Sequence, residues 1–210
     1  MTADGPTATT PGTTTSGAMT LRDHARGAVR DEVMRCAWLL FLEHGFEGTT
    51  VDQIAEAAGM SRRTFFRYFA GKEELVLERL VESGQSIADE LAARPAAEGA
   101  WSALRAAFET IVVLQEQHPE QARPLLVMLR TEPALRGSVL ERRRRWQDVL
   151  APLVAARLPR ARGAATGVRA SAVTGSALAC LEAAQDHWTD HPGTSLPRLL
   201  DQAMAAVAPL

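Results

Sequence analysis

The sequence has few cysteines and no long apolar runs. Only two cysteines occur among the 210 residues, Cys36 and Cys180, and neither has a partner at the spacing of metal ligands. Both fall within apolar helical patterns, which predicts buried thiols in a reducing cytoplasm. No apolar run approaches the length of a membrane span. The sequence therefore predicts a cytoplasmic protein without a membrane segment.

Aromatic residues and excess basic charge are also scarce. Aromatics make up 5% of the chain while apolar residues make up 46%, so Ala, Leu and Val must build most of the core. That composition favours helices over strands. The net charge of -2 excludes a surface that is basic overall. Any nucleic-acid site must therefore come from local clustering of basic residues, among which Lys72 is the only lysine.

Residue patterns typical of enzymes are missing as well. The five histidines, two cysteines and scattered serines form no nucleophile triad or zinc spacing, and no phosphate-binding glycine loop occurs. An enzyme is the rival class, and these absences lead us to predict no catalytic residues and no cofactor. Asp186, His187, Asp190 and His191 could suggest a metal site. They lie at a predicted helix end, where polar residues are common, so we predict no metal there.

The beginning of the chain differs in composition from the rest. Residues 1–20 contain eight threonines but no lysine or arginine, so they lack the basic region of a secretory signal. They bury too little apolar surface to offset their ordering entropy, which predicts a disordered leader. From Leu21 onward, apolar residues recur three and four positions apart. The predicted fold is all-α, with an N-terminal domain at 21–70 and a larger helical domain at 71–210.

Glycine, proline and capping residues divide the helical pattern. Gly45 is placed to end the first helix on a left-handed residue. Thr50 and Gln53 have the spacing of a capping box, which predicts the start of a second helix, and Ser61 can cap a third. Pro95 limits a long fourth helix. The later predicted helices span Lys72 to Ala93, Ala100 to Gln117, Glu120 to Thr131, Pro133 to Arg157, Ala165 to Thr189 and Ser195 to Val207.

The second and third predicted helices have the spacing of a helix-turn-helix. Ala55 and Gly59 lie four residues apart, and Phe65 follows six residues later. A small residue at Ala55 lets the two helices cross closely, and Gly59 permits the turn. Ile54 and Phe65 can then fill the small core between the helices.

The third predicted helix carries a local cluster of basic residues. It carries Arg62, Arg63 and Arg67 and is followed by Lys72, with no acidic residue from Gly59 to Lys72. A basic helix face is often only solvated, but the adjacent turn favours a recognition helix. Such a helix enters the major groove of DNA and neutralises phosphates.

This part of the sequence resembles the TetR family of regulators. The resemblance covers roughly residues 28 to 78 and implies a three-helix DNA-binding domain joined by a long helix to a helical domain. In this family the second domain binds a small effector and dimerises, and most members are repressors that their ligand releases. The stretches that carry the resemblance are Gly45-Phe46, Thr49-Thr50-Val51, Ile54-Ala55, Ala58 to Phe69 and Lys72 to Leu75.

The resemblance also implies which residues meet DNA. From the recognition helix, the residues that would face DNA are Arg62, Arg63, Thr64 and Arg67. Two further residues, Tyr68 and Lys72, would hold phosphates. Thr50 would contact the DNA backbone at the start of the second helix. For Tyr68, the alternative is a packing aromatic whose hydroxyl reaches solvent.

The later helices predict an effector pocket between about Trp101 and Cys180. Large apolar side chains there suit a mainly apolar molecule that is uncharged or weakly charged, although the same residues could form a solid core. We expect the basic run from Arg142 to Arg145 to be a solvated or salt-bridged face, with Glu141 and Asp148 as partners. The alternative is that these arginines bind an effector or a partner. The predicted pocket residues are Trp101, Phe108, Met128, Trp146 and Cys180.

The last two helices predict a homodimer built as a four-helix bundle with their symmetry mates. A dimer would place two recognition helices on a palindromic operator in duplex DNA. The alternatives are a transcriptional activator and a DNA-binding protein without an effector. The apolar positions expected at the dimer interface are Ala170, Val173, Thr174, Ala177, Leu178, Leu181, Leu199, Leu200, Ala203, Met204 and Val207.

Overall fold

The computed structural model describes residues 21–159 and 165–209, and these contain helices but no strand. The all-α prediction is confirmed, while the predicted leader at 1–20 lies outside the described residues. No helix in these two ranges combines the length and apolar character needed to cross a bilayer. The helices are α1 Leu21–Gly48, α2 Val51–Ala57, α3 Arg62–Tyr68, α4 Lys72–Ala93, α5 Ala100–Gln117, α6 Pro119–Thr131, α7 Arg136–Arg157, α8 Ala165–Asp190 and α9 Leu196–Val207, with a short 3-10 turn at Pro133–Leu135.

Capping geometry confirms the predicted starts of α2 and α3, while Gly45 interrupts α1, which runs on to Gly48. Gly45 and Gly59 have φ values of +72° and +66°, which favour glycine. The backbone N–H of Gln53 donates to the Thr50 hydroxyl at 3.2 Å, and the Thr50 N–H donates to Gln53 Oε1 at 2.8 Å, completing the capping box. Ser61 accepts a hydrogen bond from the Thr64 N–H at 3.1 Å and caps α3.

Two apolar cores share helix α4. The first core closes α1, α2 and α3 around Ile54 and Phe65, and the Leu75 and Leu80 side chains of α4 complete it. Leu129 of α6 also packs into this core, which therefore extends past the predicted domain boundary at residues 70 and 71. The second core lies among α4 to α9. Because α4 belongs to both cores, a tilt of this helix must repack both of them.

A tryptophan of α7 fixes α7 against α4. The Trp146 indole lies on the backbone of Gly84, and its Nε1–H donates to the Leu80 carbonyl at 2.7 Å. A glycine is required because any side chain at this position would occupy the space of the indole ring. The contact explains why α4 carries Gly84 in the middle of a helix, where glycine costs about 1 kcal/mol relative to alanine.

The predicted dimer-interface residues of α8 and α9 are mostly buried inside the chain. Ala170, Ala177, Leu178, Leu181 and Leu200 pack into the second core. For these buried residues the interface prediction was wrong, because they contact helices of the same chain, whereas the predicted Val207 is exposed. The outer face of α8 carries a different set of exposed residues, among them Val168, Ala172, Ala179 and Ala183.

The basic run on α7 is only partly solvated. Arg145 pairs with Glu141 at 2.8 Å, as predicted. Arg142 is buried, and both Arg142 and Arg143 pair with Glu182 of α8. The prediction of local partners failed for these two arginines because helix packing brings α8 against α7.

Candidate functional site

The helix-turn-helix is a rigid unit whose turn is hydrogen-bonded. The Met60 N–H donates to the Ala55 carbonyl at 2.9 Å, and the Gly59 N–H donates to the Glu56 carbonyl at 3.0 Å. Ala55 is buried where α2 crosses the neighbouring helices, and Phe65 anchors α3 in the core. The orientation of α3 is therefore set by packing on one of its faces.

The opposite face of α3 is exposed and basic. Arg62, Arg63 and Arg67 are exposed, while Thr64 and Tyr68 are half-buried. Within the described part of the chain, Arg63 has no hydrogen bond, ion pair or ring contact. The structure thus brings the five predicted recognition-helix residues onto one element, with Arg63 as an unengaged cation.

Two residues of this surface were missed by sequence reasoning. Asp52 of α2 pairs with Arg62 at 2.9 Å, so one basic charge of α3 is partly neutralised. Phe66 is 46% exposed on α3, and the Arg62 guanidinium lies 5.5 Å from its ring centroid. An exposed aromatic on a recognition helix can contact a thymine methyl group. Asp52 could not be linked to Arg62 without knowing the angle between the two helices.

Thr50 and Lys72 have structural partners in addition to their predicted contacts with DNA. The Thr50 hydroxyl caps α2. The Lys72 Nζ donates to the carbonyls of Phe46 at 2.6 Å and Thr49 at 3.0 Å, and it lies 4.2 Å from the Phe46 ring centroid. An ammonium group has three N–H donors, so one remains for a phosphate.

Arg30 of α1 joins the end of α3 to α4, and no local sequence pattern predicts this role. Its Nε and a terminal nitrogen donate to the Glu78 carboxylate at 2.9 and 2.5 Å. Its other terminal nitrogen donates to the Tyr68 carbonyl at 2.7 Å, and the guanidinium lies 4.4 Å from the Phe69 ring centroid. The carboxylates of Glu78 and Glu74 raise the pKa of Arg30. Arg30 therefore helps to position α3.

A cavity of about 620 Å³ lies between α1 and the helices α4 to α8, and we call it the central cavity. Side chains from α1 and from α4 to α8 line it, including Trp38, Leu80, Leu125, Arg142 and Trp146. Its volume is in the range of small-molecule sites. The predicted pocket lay between Trp101 and Cys180, but the central cavity also includes α1, because α1 packs on α6.

Only one of the five predicted pocket residues lines the central cavity, namely Trp146. Met128 lines a separate cavity of about 280 Å³. Phe108 is fully buried in the second core, and Trp101 donates through Nε1 to the Ala208 carbonyl at 3.2 Å. The buried Cys180 thiol lies 3.4 Å from the Ala203 carbonyl. These three residues contribute to packing, which was the alternative left open for them.

A second depression is larger but is an open groove outside α5. Its volume is about 820 Å³, and Glu90, Arg94, Arg105, Glu109 and Asp201 line it. Arg105 pairs with both Glu109 and Asp201, so these charges already neutralise one another. The central cavity is the better candidate for a small molecule because it is more enclosed than this groove.

The histidines near the end of α8 stack on each other. The rings of His187 and His191 lie 3.9 Å apart between centroids, and His191 Nδ1 lies 2.9 Å from the His187 carbonyl oxygen. Asp190 pairs with Arg130 of α6 at 2.6 Å. In the described ranges, no group of three or more histidine, cysteine or acidic side chains is arranged to hold a metal ion.

Comparison with known families assigns the chain. Residues 34–78 match the sequence model of bacterial regulatory proteins of the tetR family, and residues 98–210 match that of the MftR C-terminal domain. The second match covers more than half of the chain. The chain belongs to the TetR family. The resemblance recognised from α1 to the start of α4 is thereby confirmed for this TetR-family regulator.

Named relatives of this TetR-family chain are transcriptional regulators. The HTH-type transcriptional regulator TcmR of Streptomyces glaucescens is 34% identical over 65% of this chain and 63% of TcmR. The HTH-type transcriptional repressor AcnR of Corynebacterium diphtheriae is 35% identical over 58% of this chain and 60% of AcnR. The chain thus aligns with less than two thirds of the length of each of these relatives.

A solved structure shows the same fold. The FadR repressor of Thermus thermophilus, crystallised in complex with lauroyl-CoA, is 21% identical with a TM-score of 0.59. The match covers 85% of this TetR-family chain and 92% of FadR. It extends across both the helix-turn-helix and the helical C-terminal domain.

Proposed function

We propose that this regulator is a repressor that binds a palindromic operator in duplex DNA and leaves it when a small, mainly apolar effector binds. The observation that carries the proposal is the exposed basic face of α3, held on a packed helix-turn-helix. Repression is supported by AcnR, a named repressor with 35% identity to part of the chain. DNA is the partner, so we expect the protein to act in the cytoplasm.

The proposed DNA contacts follow from the exposure of each residue. Arg63 and Arg67 are exposed on α3 and are free to reach base edges or phosphates. Arg62 must first break its ion pair with Asp52 before it can bind DNA. Lys72 has one N–H left for a phosphate. We also place Thr64, Tyr68 and Thr50 at the DNA surface.

The test of DNA binding uses two arginine variants. Duplexes selected from a random library by the wild-type protein are titrated with Arg63→Ala and with Arg144→Ala, whose arginine is exposed on α7. Arg63→Ala should weaken binding by about 1 to 3 kcal/mol, the usual value of one specific base contact. Arg144→Ala should bind as the wild type does. Equal effects of both variants, or no selected sequence, would count against the assignment of α3.

The proposed homodimer uses the outer face of α8 together with α9. Val168 is 69% exposed there, and Val207 of α9 is 57% exposed. Small residues along the same face, Ala172, Ala179 and Ala183, would allow close approach of a second copy. Light scattering should show a dimer, and Ala179→Arg should convert it to a monomer. Ala92→Arg, at an exposed site on α4, is the matched control and should remain dimeric.

The central cavity is the proposed effector site. It touches α4, which belongs to both cores, and also α1 of the DNA-binding domain through Met34 and Trp38. A ligand there can favour one arrangement of these helices, and only different affinities for the two arrangements can release DNA. A reporter strain decides the sign of regulation: deletion of a repressor raises expression from the target promoter, whereas deletion of an activator lowers it.

A further inference from the structure

We infer that the central cavity takes an amphipathic small molecule whose single carboxylate binds the guanidinium of Arg142. The inference rests on the proposed function, because it names the chemical class of the effector. It departs from the expectation of an uncharged or weakly charged ligand drawn from the sequence. The departure follows from the burial of one cation, Arg142, on the cavity wall, which the sequence did not predict.

Arg142 is buried but has few protein acceptors. Its side chain is only 10% exposed and forms one hydrogen bond, to Glu182 Oε1 at a long 3.3 Å. A guanidinium has five N–H donors, and the others have no acceptor among the described residues. The guanidinium also lies 5.2 Å from the ring centroid of Trp146, another residue of the cavity wall. No Arg142 nitrogen is among the fully buried, unpartnered atoms of the described residues, so these donors open onto the cavity, where a ligand can supply acceptors.

The carboxylates near Arg142 are already shared with other arginines. Glu182 also pairs with Arg143, and Asp186 lies 3.8 Å from Arg130. Burial lowers the pKa of Arg142, since these carboxylates compensate only in part for its loss of water. A ligand carboxylate would supply the missing negative charge in a bidentate geometry suited to arginine.

Two amide groups of the cavity wall can add donors to those of Arg142. Gln185 Nε2 donates to Gln115 Oε1 at 3.0 Å, and both residues line the cavity. The Gln115 amide nitrogen has no acceptor among the described residues, so its two N–H groups are available to a second carboxylate oxygen. The cavity wall thus offers unpartnered donors from Arg142 and Gln115, beside the Gln185 Oε1 acceptor.

The rest of the cavity wall suits an apolar body. It includes leucines that are left unusually exposed for their type: Leu39 is 55% exposed and Leu114 is 54% exposed. Burying apolar surface is favourable, so covering these side chains favours a ligand with an extended apolar part. At the cavity mouth, Arg35 and Arg79 pair with Glu32 and Glu82. Those rim arginines therefore attract an anion less than Arg142 does.

The test compares a carboxylate with a neutral molecule of the same chain length. Dodecanoate, below its micelle concentration, and dodecanamide, below its solubility limit, are titrated into the full chain. Tryptophan fluorescence reports binding because Trp38 and Trp146 line the cavity. Dodecanoate should bind about 10 to 100 times more tightly, the factor expected of a hydrogen-bonded ion pair. Equal binding of the two compounds, or no binding of either, would overturn the inference without any variant being made.

Two variants then assign the preference to one arginine. Arg142→Met should abolish the preference for dodecanoate, whereas Arg143→Met should retain it, because Arg143 shares Glu182 but does not line the cavity. Thermal melting confirms that both variants are folded. Loss of the preference in both variants, or in neither, contradicts the role of Arg142.

A parallel DNA titration separates this inference from the proposed function. Dodecanoate that binds through Arg142 but leaves DNA affinity unchanged would support the ligand class and contradict effector-controlled repression. Release of DNA by dodecanoate and dodecanamide at equal concentrations would support effector control and contradict the carboxylate.

Discussion

Replacing Gly84 by alanine tests the contact that joins α4 to α7. A β-carbon at this position would lie within 3.0 Å of three atoms of the Trp146 indole, namely Cδ1, Nε1 and Cγ. Real Cβ atoms essentially never come that close, so the indole must move. Moving it also breaks the 2.7 Å hydrogen bond from Trp146 Nε1 to the Leu80 carbonyl.

The change in the free energy of unfolding combines one stabilising and two destabilising contributions. Alanine gains about 1 kcal/mol over glycine in a helix interior. The lost hydrogen bond costs about 1 kcal/mol, and overpacking a well-filled core costs about 1 to 3 kcal/mol. The net result is a destabilisation of about 1 to 3 kcal/mol, or a fall in Tm of roughly 2 to 12 °C for a chain of this size.

Thermal unfolding followed by circular dichroism measures this change. Gly137→Ala is the matched control, because Gly137 lies in α7 and nothing lies within 4 Å of a β-carbon there. The control should be at least as stable as the wild type. If Gly84→Ala matched or exceeded the wild-type Tm, the Trp146 contact would not hold α4 against α7.

Three further predictions concern side chains around the candidate DNA surface and the core. Asp52→Asn frees Arg62 for DNA, so the slope of log affinity against log salt should steepen by up to about two units per dimer; an unchanged slope would show that the pair does not limit Arg62. Arg30→Met should destabilise the chain by about 1 to 3 kcal/mol and weaken DNA binding, because Arg30 holds the Tyr68 carbonyl and Glu78; a wild-type melting curve would contradict this. Burial raises the pKa of the Cys36 and Cys180 thiols. At pH 8 both should therefore react with a thiol reagent far more slowly in the native protein than after unfolding. Rapid labelling of the native protein would refute their burial.

Local sequence signals predicted the helices well. The capping box at Thr50 and Gln53 and the positive φ of Gly45 and Gly59 involve residues within a few positions of each other, so sequence spacing contains the needed information. The predicted helix from Ala100 to Gln117 matches α5 at both ends. Such boundaries depend on local hydrogen bonds and backbone conformation, which a single sequence encodes directly.

Contacts between distant helices could not be predicted in the same way. Arg142 and Glu182 are 40 positions apart, and their pairing depends on how α7 packs against α8. The apolar stripe of α8 fits either a second copy or the same chain, because periodicity indicates burial but not the partner. The central cavity was placed incompletely for the same reason, since the contact of α1 with α6 has no local signal.

Photo-cross-linking from α3 tests the central claim most directly. A benzoylphenylalanine replaces Phe66, which is 46% exposed on α3, and a control protein has it in place of Leu140, which is 69% exposed on α7. With a duplex selected by the wild-type protein, we predict cross-links to DNA from position 66 and none from position 140. Cross-links from position 140 alone would contradict the assignment of α3 as the DNA-binding helix.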